Sequence, residues 1–324
     1  MKAILCTAFG PPESLVVADI DAASPGPGEI AVAVKACALN FFDTLIIAGK
    51  YQFRPDFPFS PGAEVAGVVS AVGAGVTVFK PGDRVIGHLY WGGCRQEVVA
   101  ATEKFVPLPA GLDDTLAAGL TVTYGTGLHA LKDRARLRPG ETLAVLGAAG
   151  GVGQAAVEIG KLMGARVIAC ASSGDKLDFC KRLGADEGFN YATGDLKEGL
   201  RRLTGGKGVD VVYDAVGGDL SEPALRAIAW QGRFLVVGFA AGDIPRIPLN
   251  LVLLKGCDLV GVFWGEHIAR EPMSHRANMA DLLAWAADGR IKPHVHKVYS
   301  LAETPQALAA IARREVKGKA VVVP

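Results

Sequence analysis

The spacing of hydrophobic residues divides this chain of 324 residues into two regions of different character. Up to about residue 110, apolar residues form short runs separated by Gly/Pro turns, which is typical of a compact β-rich domain. From residue 142 onward, strand-like apolar runs alternate with segments of helical spacing, which predicts a parallel sheet with helices on both faces. Residues 115–137 are expected to form a largely helical connection. The last apolar run, at 319–323, is expected to return to the first domain, because a final strand needs a sheet to join.

A glycine-rich stretch organises the second region. A strand-like run at 142–146 is followed by the sequence Ala-Ala-Gly-Gly-Val-Gly at 148–153 and then by apolar residues at helical spacing up to Met163. This order of strand, tight turn and helix is that of a dinucleotide-binding corner, although alanine replaces the first glycine of the G-x-G-x-x-G pattern. Glycine lets the backbone approach a pyrophosphate, and the helix N-terminus offers unpaired N–H groups. We therefore predict cofactor contacts at Gly150, Gly151, Val152 and Gly153.

The residues after the second strand of this region bear on the choice of cofactor. An NAD site usually carries an acidic residue about 20 positions beyond the glycines, which binds the ribose hydroxyls. This chain instead has Ser172, Ser173 and Lys176, and hydroxyl and ammonium groups accept an additional phosphate where a carboxylate repels it. The sequence thus favours NADPH, with the alternative that Lys176 is a solvated helix residue.

Composition and charge exclude several kinds of partner. Half of the residues are hydrophobic, 21% are charged and the net charge is +1, so we expect no surface for nucleic acid or for acidic membranes. The sequence contains no apolar run of about 18 residues, and it begins with a strand-like segment. The expected protein therefore has no membrane span and is cytoplasmic.

The spacing of cysteine and histidine residues gives no sign of a metal centre. The six cysteines are scattered without a C-x-x-C pair, which argues against a structural zinc lobe and against a disulfide framework. Most of them are expected to fill the core. Neither the six histidines nor any group of His, Cys and acidic residues shows the spacing of a metal site. We therefore expect no metal.

Several motifs, in this order along the chain, carry a resemblance to a known family. They are Asn40-Phe-Phe-Asp43 running on to Gly49-Lys-Tyr51, Pro61-Gly-Ala-Glu-Val-Ala-Gly67, Pro81-Gly-Asp-Arg-Val85, the turn at 148–153, Leu183-Gly-Ala-Asp186 and the segment 314–319. Over essentially its whole length the chain resembles the zinc-independent quinone oxidoreductase branch of the medium-chain dehydrogenase/reductase superfamily. The resemblance implies an α/β fold, with a Rossmann doubly wound parallel sheet plus a β-rich GroES-like catalytic domain. The implied domains are a GroES-like substrate domain at 1–122, an NADP-binding Rossmann domain at 123–263 and a C-terminal return to the substrate domain at 264–324.

A departure from the wider superfamily concerns zinc. In the zinc-dependent alcohol dehydrogenases, a histidine that ligates the metal precedes the glutamate of the second motif, whereas this chain has Ala63 before Glu64. The cysteine ligand of the first motif is also absent from the corresponding position. Without a Lewis acid to polarise an alkoxide, simple alcohol oxidation is disfavoured and reduction of an activated acceptor is favoured. Glu64 is then expected to be a structural ion-pair partner.

The resemblance also implies the residues of the site. Asn40, Asp43 and Tyr51 would lie near the nicotinamide and the substrate as catalytic residues, with Tyr51 donating to a carbonyl or an enolate. Helix capping is an alternative for Asn40 and Asp43, and a buried structural role is an alternative for Tyr51. Phosphate contacts are implied for Tyr191 and Arg314. Contacts around the nicotinamide are implied for Thr123, Gly238, Phe239, Phe263 and Trp264, although aromatic residues there would equally fit a core.

These expectations combine into one function and two alternatives. The chain is expected to be an NADPH-dependent oxidoreductase that transfers hydride to a quinone or related α,β-unsaturated carbonyl acceptor, without zinc. The alternatives are an enoyl-thioester or enone reductase and a non-catalytic NADPH-binding sensor. A homodimer is also expected, because the apolar run at 249–254 precedes what looks like an edge strand at 259–263, and an exposed apolar edge needs cover.

Overall fold

The computed structural model describes residues 1–324, which form two compact units. The first unit comprises Met1–Val122 and Met279–Pro324, and the second comprises Thr123–Asn278. The strands are β1 (Lys2–Leu5), β2 (Val16–Asp19), β3 (Glu29–Leu39), β4 (Glu64–Val72), β5 (Arg84–His88), β6 (Glu97–Ala101), β7 (Phe105–Pro107), β8 (Thr142–Leu146), β9 (Arg166–Ala171), β10 (Glu187–Asn190), β11 (Val209–Asp214), β12 (Ile228–Val236), β13 (Asp258–Gly261), β14 (Val295–Ser300) and β15 (Lys319–Val323). The α-helices are α1 (Phe41–Ile47), α2 (Asp114–Ala118), α3 (Thr121–Leu128), α4 (Gly151–Leu162), α5 (Gly174–Arg182), α6 (Leu196–Leu203), α7 (Ser221–Arg226), α8 (Asn250–Lys255), α9 (Trp264–Arg270), α10 (Pro272–Ala287) and α11 (Thr304–Ala312). Short 3-10 turns lie at Pro12–Ser14, Thr102–Lys104, Gly218–Leu220 and Leu301–Glu303, and a π-helical turn spans His129–Arg134.

A seven-stranded sheet is the framework of the first unit. Its strands follow the order β14-β15-β3-β4-β5-β7, and β6 pairs with β3. Strand β15 pairs antiparallel with β3 and places Val321 opposite Ala38, so the C-terminal strand lies in the sheet of the first unit. Apolar side chains of the strands and of α1 and α11 form the core, among them Ile30, Val65 and Leu308. The β-rich GroES-like architecture is thus confirmed.

Six parallel strands form the sheet of the second unit, in the order β10-β9-β8-β11-β12-β13. The central strands β8 and β9 are almost entirely buried, as expected for a parallel sheet that is covered on both faces. The chain moves outward from β8 through β9 to β10 and then returns to place β11 on the other side of β8. Ligands of such sheets bind at the carboxyl ends of the strands at this switch point, between β8 and β11. The predicted Rossmann doubly wound sheet is confirmed.

The predicted helical connection at 115–137 is divided into three pieces, namely α2, α3 and the π-helical turn. Helix α2 begins where the Asp113 carboxylate accepts hydrogen bonds from the Thr115 and Leu116 N–H groups. It is only 5 residues long and ends at Gly119, a residue type that often ends helices. Local capping and a helix-ending glycine therefore override the continuous helical pattern.

The end of the second unit differs from the predicted boundary at 263. The unit continues to Asn278 and includes α9 and the beginning of α10. The reason lies in packing, because the indole of Trp264 in α9 lies against Gly125 of α3, where a Cβ would come within 2.7 Å of the ring.

The helices of both units are short. The longest, α10, has 16 residues, which corresponds to a length of about 24 Å. None of the helices combines the length and the apolar character that are needed to cross a bilayer.

Candidate functional site

The glycine-rich turn connects β8 to α4 and depends on two glycines for its shape. Gly147 has a φ of 67°, a conformation that favours glycine, and its carbonyl oxygen accepts a hydrogen bond from the Gly150 N–H at 3.0 Å. A Cβ at Gly153 would stand 2.2 Å from the same carbonyl oxygen. Glycine at position 153 is therefore required by the close approach of the helix to the turn.

The start of α4 can accept an anion. Gly150 is the N-cap residue, and no side chain caps the helix. The first N–H groups of a helix lack intrahelical partners, and the helix dipole adds a positive potential at the same place. A Cβ at Gly150 would meet nothing nearer than the Gly147 oxygen at 3.5 Å, so the turn leaves room beside it. The turn and the helix end together offer the donors and the space that a pyrophosphate needs.

Three polar residues gather at the carboxyl end of β9. The Ser173 hydroxyl caps α5 by accepting a hydrogen bond from the Lys176 N–H at 3.3 Å. The Lys176 Nζ donates to the Ser172 Oγ at 3.4 Å. The structure thus brings the predicted phosphate contacts Ser172, Ser173 and Lys176 together, and Lys176 is half-buried rather than fully solvated.

Asp214 shapes the carboxyl end of β11, the strand that pairs with β8 on the side opposite β9. Its buried carboxylate accepts hydrogen bonds from the N–H groups of Val216 at 2.8 Å and Gly217 at 2.9 Å and from the Ser221 hydroxyl at 2.5 Å. The Asp214 carbonyl oxygen accepts from the N–H of Gly238, one of the predicted nicotinamide residues, at 3.2 Å. Asp214 therefore fixes the loop at the switch point, a role that we did not predict from the sequence.

The other predicted nicotinamide residues divide into exposed and buried side chains. Phe239 and Phe263 are 38% and 46% exposed, so their rings are accessible to a ligand. Thr123 and Trp264 are buried. The ring of Trp264 packs on Gly125, which agrees with the alternative that this aromatic residue belongs to the core.

A buried polar network lies in the first unit and joins β15, β3 and β4. The Lys319 ammonium donates to the Leu39 carbonyl oxygen at 2.8 Å, to the Asn40 Oδ1 at 2.7 Å and to the Glu64 Oε1 at 2.7 Å. The second Glu64 oxygen accepts two hydrogen bonds from residues 121–122. The predicted structural ion-pair role of Glu64 is confirmed, and its partner is Lys319.

Asn40 and Asp43 both lie at the start of α1, where Asn40 is the N-cap residue. The Asp43 carboxylate accepts hydrogen bonds from the backbone N–H groups of Asn40 at 2.7 Å and Gly62 at 3.1 Å. The Asn40 side chain is turned instead toward Glu64 and Lys319. Burial raises the pKa of Asp43 to about 7, although the two N–H donors act in the opposite direction. Capping and network bonds thus account for the contacts of both side chains.

Tyr51 lies in the segment that follows α1 and is surrounded by other aromatic residues. We call Phe42, Tyr51, Phe53 and Tyr90 the aromatic cluster. The ring of Tyr51 stacks on Phe42 at a centroid distance of 5.5 Å and lies 5.9 Å from Phe53, which in turn lies 5.5 Å from Tyr90. Burial raises the pKa of the Tyr51 phenol, and the charge of Asp43 adds to this effect. A half-buried neutral phenol can donate a hydrogen bond beside flat apolar surface.

Tyr191 and Arg314 lie in different units. Tyr191 follows β10 and lines a cavity of about 890 Å³ beside α6 and α7. The glycine-rich turn and Lys176 do not line this cavity, and we assign it no role in the reaction. Arg314 is exposed after α11. The phosphate contacts of both residues stay predictions.

Family comparisons agree with this geometry. Residues 26–130 match the alcohol dehydrogenase GroES-like domain, and residues 151–285 match the zinc-binding dehydrogenase family. The chain is 37% identical over 322 residues to quinone oxidoreductase-like protein 2 of Bos taurus, a match that covers 99% of this chain and 92% of that protein. The chain belongs to the quinone oxidoreductase branch of the medium-chain dehydrogenase/reductase superfamily. It is therefore an oxidoreductase.

Solved structures of this superfamily share the whole fold. The Escherichia coli quinone oxidoreductase complexed with NADPH has a TM-score of 0.93 and 30% identity, and the match covers 100% of both chains. The CurK enoyl reductase has a TM-score of 0.90 and 28% identity, with 99% of this chain and 98% of that chain covered. The similarity thus extends to reductases with different acceptors.

Three features of this family member were not predicted from its sequence. They are the buried Lys319, the turn-forming Asp214, and a group of His129, Asp133 and His267 whose possible ligand atoms all lie within 4.8 Å of one another. The i, i+4 spacing of His129 and Asp133 was the signal available for the last of these. His267 lies far away in the sequence and joins the pair only through the fold.

Proposed function

We propose that this protein reduces a quinone or a related α,β-unsaturated carbonyl compound with hydride from NADPH, without catalytic zinc. The observation that carries the proposal is the aromatic cluster around the neutral phenol of Tyr51. A flat conjugated acceptor matches flat aromatic surface. The phenol can stabilise the oxyanion that develops as the acceptor is reduced. The quinone oxidoreductase relatives support this class of acceptor.

The second unit offers the residues for the cofactor. The turn at 150–153 and the uncapped start of α4 would hold the pyrophosphate. Ser172, Ser173 and Lys176 would hold the additional phosphate that distinguishes NADPH from NADH. When bound, NADPH supplies the hydride.

The first unit favours a reaction without catalytic zinc. Ala63 offers no side-chain ligand atom, and the Asn40 amide oxygen is already bonded to the Lys319 ammonium. A metal ion at these positions would therefore lack ligands and would meet a fixed positive charge. The protein's own contribution is then to position the acceptor and to donate one hydrogen bond, and positioning alone can lower a barrier by several kcal/mol.

A screen of NADPH oxidation with quinones, enones and enoyl thioesters tests the proposal. We expect the highest kcat/KM with a quinone. The similarity to the CurK enoyl reductase favours a second candidate, enone or enoyl-thioester reduction, for which the enoyl substrates would give the highest kcat/KM. A protein that binds NADPH and oxidises it with none of these acceptors would be a sensor, and this outcome would contradict the proposal.

The first prediction concerns Tyr51. In Tyr51→Phe, quinone turnover should fall about ten- to a hundredfold, because the variant keeps the ring but loses the hydrogen-bond donor. Enone turnover should fall further, since the enolate is more basic, and NADPH affinity should change little. The measurement is kcat with both acceptors side by side. Tyr299→Phe, a change at a buried tyrosine of the same unit, is the control. Complete loss with both acceptors would make Tyr51 an obligatory acid, and no loss would remove it from the site.

The second prediction concerns the preference for NADPH. A phosphate contact with a charged donor contributes about 1.5–3 kcal/mol, or roughly ten- to a hundredfold in affinity. Lys176→Glu should therefore weaken NADPH binding by this factor and leave NADH binding nearly unchanged. Titration of both cofactors measures the effect, with Lys181→Glu on the exposed side of the same helix as the control. Equal losses for the two cofactors would assign Lys176 a structural role.

The third prediction concerns the oligomeric state. Strand β13 is the edge of the parallel sheet. In the segment that precedes it, the apolar side chains Leu249, Leu253 and Leu254 are 74%, 79% and 68% exposed. We propose that a second copy of the chain covers this edge across a two-fold axis.

Leu253→Glu should then raise the dimer dissociation constant at least tenfold, because the free energy gained by burying one leucine side chain corresponds to at least that factor. Light scattering across a dilution series measures this constant. Val78→Glu, at a position of the first unit that is 68% exposed, should leave the dimer intact. A wild-type mass of one chain at micromolar concentration would refute the dimer.

A further inference from the structure

Two histidines and an aspartate meet where the π-helical turn at His129–Arg134 lies beside α9. The His129 Nδ1 lies 2.9 Å from the Asp133 Oδ2, and the His267 Nε2 lies 3.9 Å from the same oxygen. All three residues belong to the second unit. None of them takes part in the hydride transfer proposed above.

The distances between these atoms suit a small divalent ion. Zinc bonds of about 2.0–2.1 Å at tetrahedral angles place neighbouring ligand atoms about 3.3 Å apart. The separations of 2.9 Å and 3.9 Å lie on either side of this value. Side-chain movements of less than about 1 Å would therefore bring both separations to the value expected for zinc ligands.

His267 lacks the partners that a buried imidazole requires. It is 6% exposed, and neither of its ring nitrogens has a hydrogen-bond partner. A buried polar atom without a partner costs free energy, so such an atom calls for an explanation. Histidine binds metals through its ring nitrogens, so the two unpaired nitrogens of His267 are candidate ligand atoms.

The surroundings of the three residues also fit a metal site. Histidine ligands usually direct the second ring nitrogen at a carboxylate, and carboxylate ligands usually accept further hydrogen bonds. The Glu271 Oε2 lies 3.8 Å from the His267 Nδ1, and the Asn278 Nδ2 donates to the Asp133 Oδ2 at 2.9 Å. The nearby Lys132 ammonium bonds the Asn278 Oδ1 at 3.0 Å. The Asp133 side chain is 25% exposed, which leaves an approach for the ion and for water.

We propose that His129, Asp133 and His267 bind a divalent transition-metal ion, zinc in the first place, with water as the fourth ligand. Two imidazoles and a carboxylate are a ligand set that zinc accepts readily. The ion would fasten the π-helical turn to α9. It would stabilise the second unit and take no part in the chemistry, so this site is separate from the zinc position of the alcohol dehydrogenases.

A stacked pair of histidines without an ion is the competing explanation. The rings of His129 and His267 lie 3.9 Å apart at an interplanar angle of 18°. Such a pair with the Asp133 hydrogen bond gives the same side-chain arrangement, but it has no affinity for metal. Metal binding itself therefore separates the two explanations.

The test is titration of the chelator-treated full-length protein with Co²⁺ and then with Zn²⁺. We expect one equivalent of Co²⁺ to give visible d–d absorption that Zn²⁺ displaces, with a zinc Kd of about 1 µM or tighter. Zinc should also raise the Tm, because an ion that binds only the folded chain stabilises it. The turnover of NADPH should be the same with and without the ion.

Three variants make the test specific. His267→Gln should weaken zinc binding about a hundredfold and remove the Tm shift, because one ligand atom is lost. Asp133→Asn should give the same result and decides the question if His267→Gln does not fold. His296→Gln, at an exposed histidine of β14, is the matched control and should bind zinc like the wild type. No saturable binding, or equal binding by His267→Gln and His296→Gln, would overturn the proposal in favour of the stacked pair.

Discussion

Lys319→Met is expected to lose about 3–5 kcal/mol of unfolding free energy, because it leaves the buried Glu64 carboxylate without its cation. The two side chains form an ion pair of 2.7 Å and are 2% and 0% exposed. The Lys319 ammonium also bonds the Leu39 carbonyl oxygen and the Asn40 Oδ1, so all three of its donors are used. The variant would therefore bury an uncompensated charge together with two unpaired oxygens.

Chemical denaturation of wild type and variant measures this loss. Lys2→Met is the matched control, because the Lys2–Asp19 pair has a similar distance of 2.6 Å but side chains that are 53% and 71% exposed. Its removal should change stability little. Adding Glu64→Gln to Lys319→Met should recover part of the loss, because the unpaired charge is then gone. A cost for Lys319→Met no larger than that of Lys2→Met would show that the network does not hold β15 in place.

Gly153→Ala is expected to disrupt the glycine-rich turn and to weaken NADPH binding by at least about a hundredfold. The added Cβ would stand 2.2 Å from the Gly147 carbonyl oxygen and 2.7 Å from the Ala148 Cα. Both are backbone atoms, so the turn and α4 must move apart. The N–H groups that we assign to the pyrophosphate would move with them.

Two further glycine variants serve as controls for this effect. Gly261→Ala, in the edge strand β13, places its Cβ in open space within the chain and should leave NADPH affinity unchanged. In Gly150→Ala the new Cβ would contact only the Gly147 oxygen, at 3.5 Å, so the variant should keep the fold. Any loss of NADPH affinity in this variant would then show that the cofactor lies against the turn at residue 150. The measurements are cofactor titration and thermal unfolding. An NADPH affinity of Gly153→Ala within a few fold of wild type would contradict the assignment of the turn.

The features that could be predicted from the sequence are local ones. The strand, glycine turn and helix at 142–163 follow from apolar spacing within one short segment, and the buried cysteines follow from their residue type. Ser172, Ser173 and Lys176 come together because they lie within one turn after β9. Such short-range patterns survive folding with little change.

The features that could not be predicted depend on contacts between distant segments. A lysine is rarely buried, so Lys319 carried no sequence signal, and its pairing with Glu64 arises only because β15 joins β3. The group of His129, Asp133 and His267 likewise depends on the packing of α9. The spacing of residues along the chain does not predict such contacts between distant segments.

We propose above all that the chain transfers hydride from NADPH to a quinone without catalytic zinc. The most direct measurement uses chelator-treated protein, a quinone, and NADPH carrying deuterium at the transferable position of the nicotinamide. We predict that NADPH and quinone are consumed in a ratio of about one to one. Turnover should equal that of untreated protein, and the deuterated cofactor should react more slowly. Loss of turnover on chelation that added zinc restores, or a quinone left unreduced, would contradict the account.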